Sequence, residues 1–153
     1  MTDWTCPCPR VSRLVCEDEV SGLAVNKKYI ICQFWIQPEI AVFSRHSLEL
    51  LRWVPDVVLT SDNISHFRLL EGHEYGGQCV SVLDTGLVFS ASLDRTLRVW
   101  RLEPGLGYQV DQAEDHTDYV QCLCVEAGWV ATGGQGDKKI MVYRHNILGK
   151  LSR

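Results

Sequence analysis

His73, Ser90 and Asp94 are the three residue types of a nucleophilic hydrolase, in which a histidine takes the proton of a serine and a carboxylate orients the ring. Three further groups could carry chemistry. Cys6-Pro7-Cys8 and Cys122-Leu123-Cys124 each set two thiols two positions apart, and on a strand such a pair shares one face. Gly133-Gly134-Gln135-Gly136-Asp137 has the glycine density of a phosphate-cradling loop. Each group meets an obstacle. The C-x-C spacing is not the C-x2-C of common zinc modules, and no matching second pair follows Cys8, so no metal site is expected. Cys79, Cys122 and Cys124 lie in apolar, strand-like runs and read as small core residues. The glycine run lacks the Lys-Ser/Thr of a phosphate loop and leads into a strand, not a helix N-terminus, so it reads as a tight turn.

The hydrolase-like set belongs to a pattern that occurs twice. The first copy is Gly72-His73, then Asp94, then Leu97-Arg98-Val99-Trp100. The second is Asp115-His116, then Asp137, then Ile140-Met141-Val142-Tyr143. The spacing from His to Asp is 21 residues in both, and from Asp to the closing aromatic it is 6 in both. The copies are offset by 43 residues, within the ~40–45-residue period of a four-stranded propeller blade with a Gly-His…Trp-Asp signature. The chain therefore resembles the WD40 repeat family. That resemblance implies an all-β, WD40-type β-propeller. About three four-stranded antiparallel blades are present, enough for an open arc and short of the ~4–8 blades of a closed ring.

The resemblance also implies a role for the polar residues. In the family, the histidine hydrogen-bonds a Ser or Thr on the second strand and the Asp of the turn before the third strand. The closing aromatic joins through its ring N–H. Carried over, His73, Ser90, Asp94 and Trp100 form a complete network in the first copy. The second copy departs from the pattern. Gly133 stands where Ser90 stands, so a hydroxyl relay is expected to be missing, while His116 pairs with Asp137. Tyr143 replaces Trp, and Asp115 replaces the Gly. Such a network lies inside the sheet and not in a cleft, which argues against catalysis.

Alternation of period 2 runs through the chain, and no stretch keeps a helical stripe. Residues 1–18 read as a tail or partial strand. Residues 19–54 read as a degenerate blade with strands at Val20–Val25, Tyr29–Phe34, Ile40–Phe43 and Leu48–Val54. Gln37 stands there at the Asp position and Phe43 at the Trp position. Residues 55–70 read as an inserted loop, 71–113 as the best-matching repeat and 114–153 as a repeat whose fourth strand is just starting. Trp35, Trp53 and Trp129 are face or rim aromatics that become contact anchors wherever they are exposed.

Composition narrows the function classes. Of 153 residues, 46% are hydrophobic and 22% charged, which suits a globular fold. A net charge of −4 without clustered Lys/Arg argues against nucleic acid and anionic membrane as partners. No apolar run is long enough to span a bilayer, and no secretory signal is visible. A cytoplasmic or nuclear protein with reduced thiols is expected. The resemblance implies a non-catalytic scaffold or adaptor, without a cofactor, that binds proteins or peptides. Alternatives are substrate recognition in a ubiquitin-ligase complex and association with RNA or ribonucleoprotein. With three blades, the chain is expected to be a segment or isoform of a larger propeller; self-association that closes the ring and completion of the ring by another protein are the alternatives. The loops at the Gly-His end present Tyr75, Gln78, Leu93 and Tyr119 as candidate contacts.

Overall fold

The computed structural model describes residues 14–16, 18–45, 57–58, 68–104 and 106–153. The regular elements that lie wholly among the described residues are strands. β1 (Leu14–Val15) pairs in parallel with β5 (Val57–Val58). Sheet 1 holds β2 (Val20–Val25), β3 (Tyr29–Phe34), β4 (Ile40–Ser44) and β6 (Arg68–Leu70). Sheet 2 holds β7 (Gly77–Val82), β8 (Leu87–Ser92), β9 (Leu97–Glu103) and β10 (Leu106–Ala113). Sheet 3 holds β11 (Val120–Glu126), β12 (Trp129–Gly134), β13 (Ile140–His145) and β14 (Leu151–Ser152). All three sheets are antiparallel meanders in spatial order.

The strands form where β-branched and aromatic residues alternate, and the chain reverses where a left-handed residue is available. Gly86 (φ +89°) and Gly128 (φ +84°) close the first hairpins of sheets 2 and 3, where a Cβ would strain the backbone. Each sheet opens with the same irregularity. A bulge falls at Val20/Gly22 in β2, Gly77/Cys79 in β7 and Val120/Cys122 in β11. One extra residue there increases local twist and re-aims the strand start.

Two cores lie between the sheets. Ile31, Ile40, Val42 and Leu70 of sheet 1 pack on Val80, Val88, Trp100 and Leu102 of sheet 2. Leu87, Phe89, Leu97 and Val99 on the opposite face of sheet 2 pack with Val130 and Tyr143 of sheet 3. Each fully buried aliphatic or aromatic side chain contributes about 1.5–3 kcal/mol, so sheet 2 is anchored on both faces. The outer face of sheet 1 is covered over β3 and β4, while Leu23 and Val25 of β2 on the same face are exposed. Cys32, Phe34, Ala41 and Phe43 form a third cluster, against which Cys16 and Ile30 pack.

Two features differ from the sequence reading. The fourth place in sheet 1 is taken by Arg68–Leu70, which pairs Ile40 with Leu70 and Val42 with Arg68. That segment reads as insertion in the sequence because three residues carry too little alternation to register as a strand. The expected strand at Leu48–Val54 lies outside the described residues. Cys122 and Cys124 are exposed, not core residues. They do share one face of β11, but it is the open face of sheet 3. Cys6, Cys8 and Trp53 lie outside the described residues, while Trp35 and Trp129 are each 48% exposed.

Candidate functional site: the Gly-His end of sheets 2 and 3

The polar network of sheet 2 is complete. His73 Nδ1 lies 2.7 Å from Asp94 Oδ2, and its Nε2 lies 2.6 Å from Ser90 Oγ. Trp100 Nε1 donates to the same Ser90 oxygen at 2.8 Å. These contacts assign the tautomer: Nδ1–H donates to Asp94, and Nε2 accepts the Ser90 hydroxyl. Asp94 also accepts the Glu74 N–H at 3.1 Å, the Thr96 N–H at 3.0 Å and the Thr96 hydroxyl at 2.6 Å. Burial alone raises a carboxyl pKa. Here the hydrogen bonds from His73 and Thr96 and the nearby imidazole outweigh it and hold Asp94 far below the usual carboxylate range. The His73 and Asp94 side chains are 0% and 3% exposed, and the Ser90 oxygen is occupied by Trp100. The hydrolase-like set is therefore a strut joining β8, β9 and two turns, not a nucleophile facing a cleft.

Sheet 3 builds the same strut with exchanged parts. His116 Nδ1 lies 2.9 Å from Asp137 Oδ2. Its Nε2 lies 2.9 Å from Thr132 Oγ1, so the hydroxyl relay expected to be missing at Gly133 is supplied by Thr132. The register explains the shift. Val80 pairs with Ser90 in sheet 2, and Leu123 pairs with Thr132 in sheet 3. The first hairpin of sheet 3 is one residue shorter and its next turn one residue longer, so the His-to-Asp spacing stays at 21 while the hydroxyl moves back one position. Tyr143 donates its hydroxyl to Asp115 Oδ2 at 2.9 Å. Burial raises the Asp137 carboxyl, but the N–H of Lys139, the imidazole of His116 and the N–H of Thr117 outweigh it and lower the pKa to about 2.

These struts fix the loops that lead into them. Ser92, buried, donates its hydroxyl toward the carbonyls of Tyr75 and Gly76 at 3.0 and 2.9 Å. Gly76 lies so close to the Trp35 carbonyl that a Cβ would fall 1.7 Å from its oxygen. Arg95 follows Asp94 at φ +70°, and Lys138 follows Asp137 at φ +56°. Both are non-glycine residues in the left-handed region, each carrying a cation at the same place in its turn.

A groove of about 420 Å³ runs between these loops, lined by Glu74, Tyr75, Leu93, Arg95, Asp118 and Tyr119 among others. A second hollow of about 400 Å³ continues from it past Arg98 and Glu114. The structure thus brings Tyr75, Leu93 and Tyr119 together. Tyr75 and Tyr119 are 61% and 45% exposed. Gln78 sits half-buried in β7 and lines neither hollow. Arg95 is the contributor that loop position alone misses. Its signal, a cation one residue after the Asp of each repeat, is visible only once that turn is known to face the groove. Among the described residues no three metal-ligating side chains cluster, and no helix is long and apolar enough to cross a membrane.

Comparison with known proteins supports this architecture. Residues 65–101 match the family model described as WD domain, G-beta repeat. No curated protein matches the chain. Among solved structures, the computationally designed Ika4 protein is similar with a TM-score of 0.67 and 21% identity, covering 94% of this chain and 76% of that one. The computationally designed Ika8 protein is similar with a TM-score of 0.64 and 21% identity, covering 92% of this chain and 38% of that one. The chain has an all-β, propeller-like fold of three antiparallel sheets, and residues 65–101 within it match the WD40 repeat model.

Proposed function

We propose that the protein is a non-catalytic interaction scaffold that takes a peptide segment of a partner protein in the groove between the loops of sheets 2 and 3. The observation that carries this reading is the pairing of Tyr75 and Tyr119 across one groove, on loops pinned from below by buried struts. Aromatic side chains on a rigid frame supply contact area at low entropic cost and dominate interface energies. Arg95 adds a cation for a carboxylate or a backbone carbonyl of the ligand. The chemistry favours a protein over nucleic acid, since Glu74, Glu114 and Asp118 surround the groove and offset Arg95 and Arg98. Substrate recognition for a ubiquitin ligase would use this same groove.

The test is selection from a displayed random-peptide library on the full chain, followed by affinity measurement. Enriched peptides should lose more than about tenfold in affinity with Tyr75→Ala plus Tyr119→Ala, and keep it with Tyr108→Ala on β10. Equal loss from Tyr108→Ala, or unchanged affinity in the double variant, places the interface elsewhere.

A further inference from the structure

The two loops that wall the groove carry the same pair of residue types. Glu74-Tyr75 leads into β7, and Asp118-Tyr119 leads into β11. Each pair sets a carboxylate beside an exposed aromatic ring, and all four residues line the groove. The charges there do not cancel. Asp94 is engaged inside the strut by His73 and Thr96, and its Oδ2 lies 3.8 Å from Arg98 Nη2, so these two charges offset each other. Arg98 is held further by Gln109 and Thr96. What then faces the two hollows is Glu74, Glu114 and Asp118 against Arg95 alone. Among the described residues none of these four is in an ion pair. Two of the carboxylates are also fixed in place. The Glu74 N–H donates to Asp94 while its side chain stays exposed. Asp118 accepts the Tyr119 N–H at 2.8 Å with one oxygen, and its other oxygen occupies space that a side chain on Gly136 would fill.

We propose that the peptide taken by this groove is basic, and that one arginine or lysine side chain is the group it recognises. This inference rests on the reading of the groove as a peptide site and names the chemistry of its occupant. The cation lies against the rings of Tyr75 and Tyr119, whose faces are the negative part of the aromatic quadrupole. Glu74 and Asp118, one from each loop, accept its N–H groups, and Arg95 takes a backbone carbonyl of the same segment. The alternatives are penalised. An acidic segment would meet three carboxylates and be repelled by them. A purely apolar segment would take water from those carboxylates without pairing them, and an unpaired desolvated charge is costly. The chain's net charge of −4 adds a field of the same sign, which draws a basic segment toward the groove.

The experiment sequences the peptides enriched from a displayed random library on the full chain and measures their affinity at low and high salt. The enriched peptides should share an arginine or lysine at one position, and norleucine there should cost more than about tenfold in affinity. Glu74→Gln combined with Asp118→Asn should cost as much, with the melting temperature unchanged, because the amide at position 118 still accepts the Tyr119 N–H. Affinity for the unsubstituted chain should fall several-fold between about 0.1 and 1 M salt, as the screening length shrinks from about 10 to about 3 Å. That readout stands even if the double variant fails to fold. Peptides that need Tyr75 and Tyr119 but share no basic residue overturn this inference and leave the groove a peptide site. So do peptides bound equally at both salt concentrations. Peptides indifferent to Tyr75→Ala plus Tyr119→Ala, or no enrichment at all, overturn both readings.

Discussion

Tyr143 donates its hydroxyl to Asp115, and Asp115 stands where sheet 2 has Gly72. The two exchanges are coupled. In sheet 2 a Cβ on Gly72 would fall 2.8 Å from Trp100 Cη2, so the large indole requires glycine there. In sheet 3 the smaller ring leaves room for a carboxylate, and the carboxylate accepts a hydrogen bond from the phenolic hydroxyl. Arg153 also reaches Asp115.

Tyr143→Trp alone should therefore destabilise the chain by about 1–3 kcal/mol through overpacking against Asp115. Adding Asp115→Gly should recover most of it, because the indole N–H can then reach Thr132 as Trp100 reaches Ser90. A double-mutant cycle in urea should give a coupling of about 1 kcal/mol or more. Additive losses would show that the two positions do not share one volume.

Asp94→Ala should cost about 2–4 kcal/mol, since it leaves the buried His73 ring and the Thr96 donors unpaired. Asp137→Ala should cost less. Its turn has Lys139 in place of Thr96 and so lacks the side-chain hydroxyl donor. Thermal melts of both variants check the ranking, and a larger shift for Asp137→Ala would reverse it.

Acid should unfold the chain by a predictable route. Both aspartates are lowered in the folded state relative to an unfolded value near ~3.9. As pH falls, the unfolded chain binds protons first, so the stability from these groups is present above about pH 4 and drains away below it. For Asp137 the loss runs down to about pH 2; for Asp94 it continues lower. Denaturant midpoints measured from pH 7 to pH 2 should show this fall, and Asp94→Asn should make it shallower.

Arg95→Gly separates stability from binding. A left-handed L-residue costs about 1–2 kcal/mol, while the added glycine entropy in the unfolded chain costs about 0.4–1 kcal/mol. The net change in melting temperature should be small and upward. Peptides that bind the groove should nonetheless weaken with the guanidinium gone. A drop in melting temperature would mean that Arg95 holds the turn through contacts of its own.

Much of this molecule was legible in the sequence because its constraints are local and periodic. Alternation and turn chemistry place β2, β3 and β8 at the residues expected, and the equal His-to-Asp spacing singles out both struts. Other features depend on how separate segments meet. Thr132 replaces Ser90 only through two compensating changes in turn length, which a fixed spacing conceals. Arg68–Leu70 becomes a strand because β4 offers it an edge, not because three residues prefer to be one. Cys122 and Cys124 carry the apolar texture of a core strand. They are exposed because burial of a sheet face requires a neighbour, and the sheet packed against β11 covers only its other side.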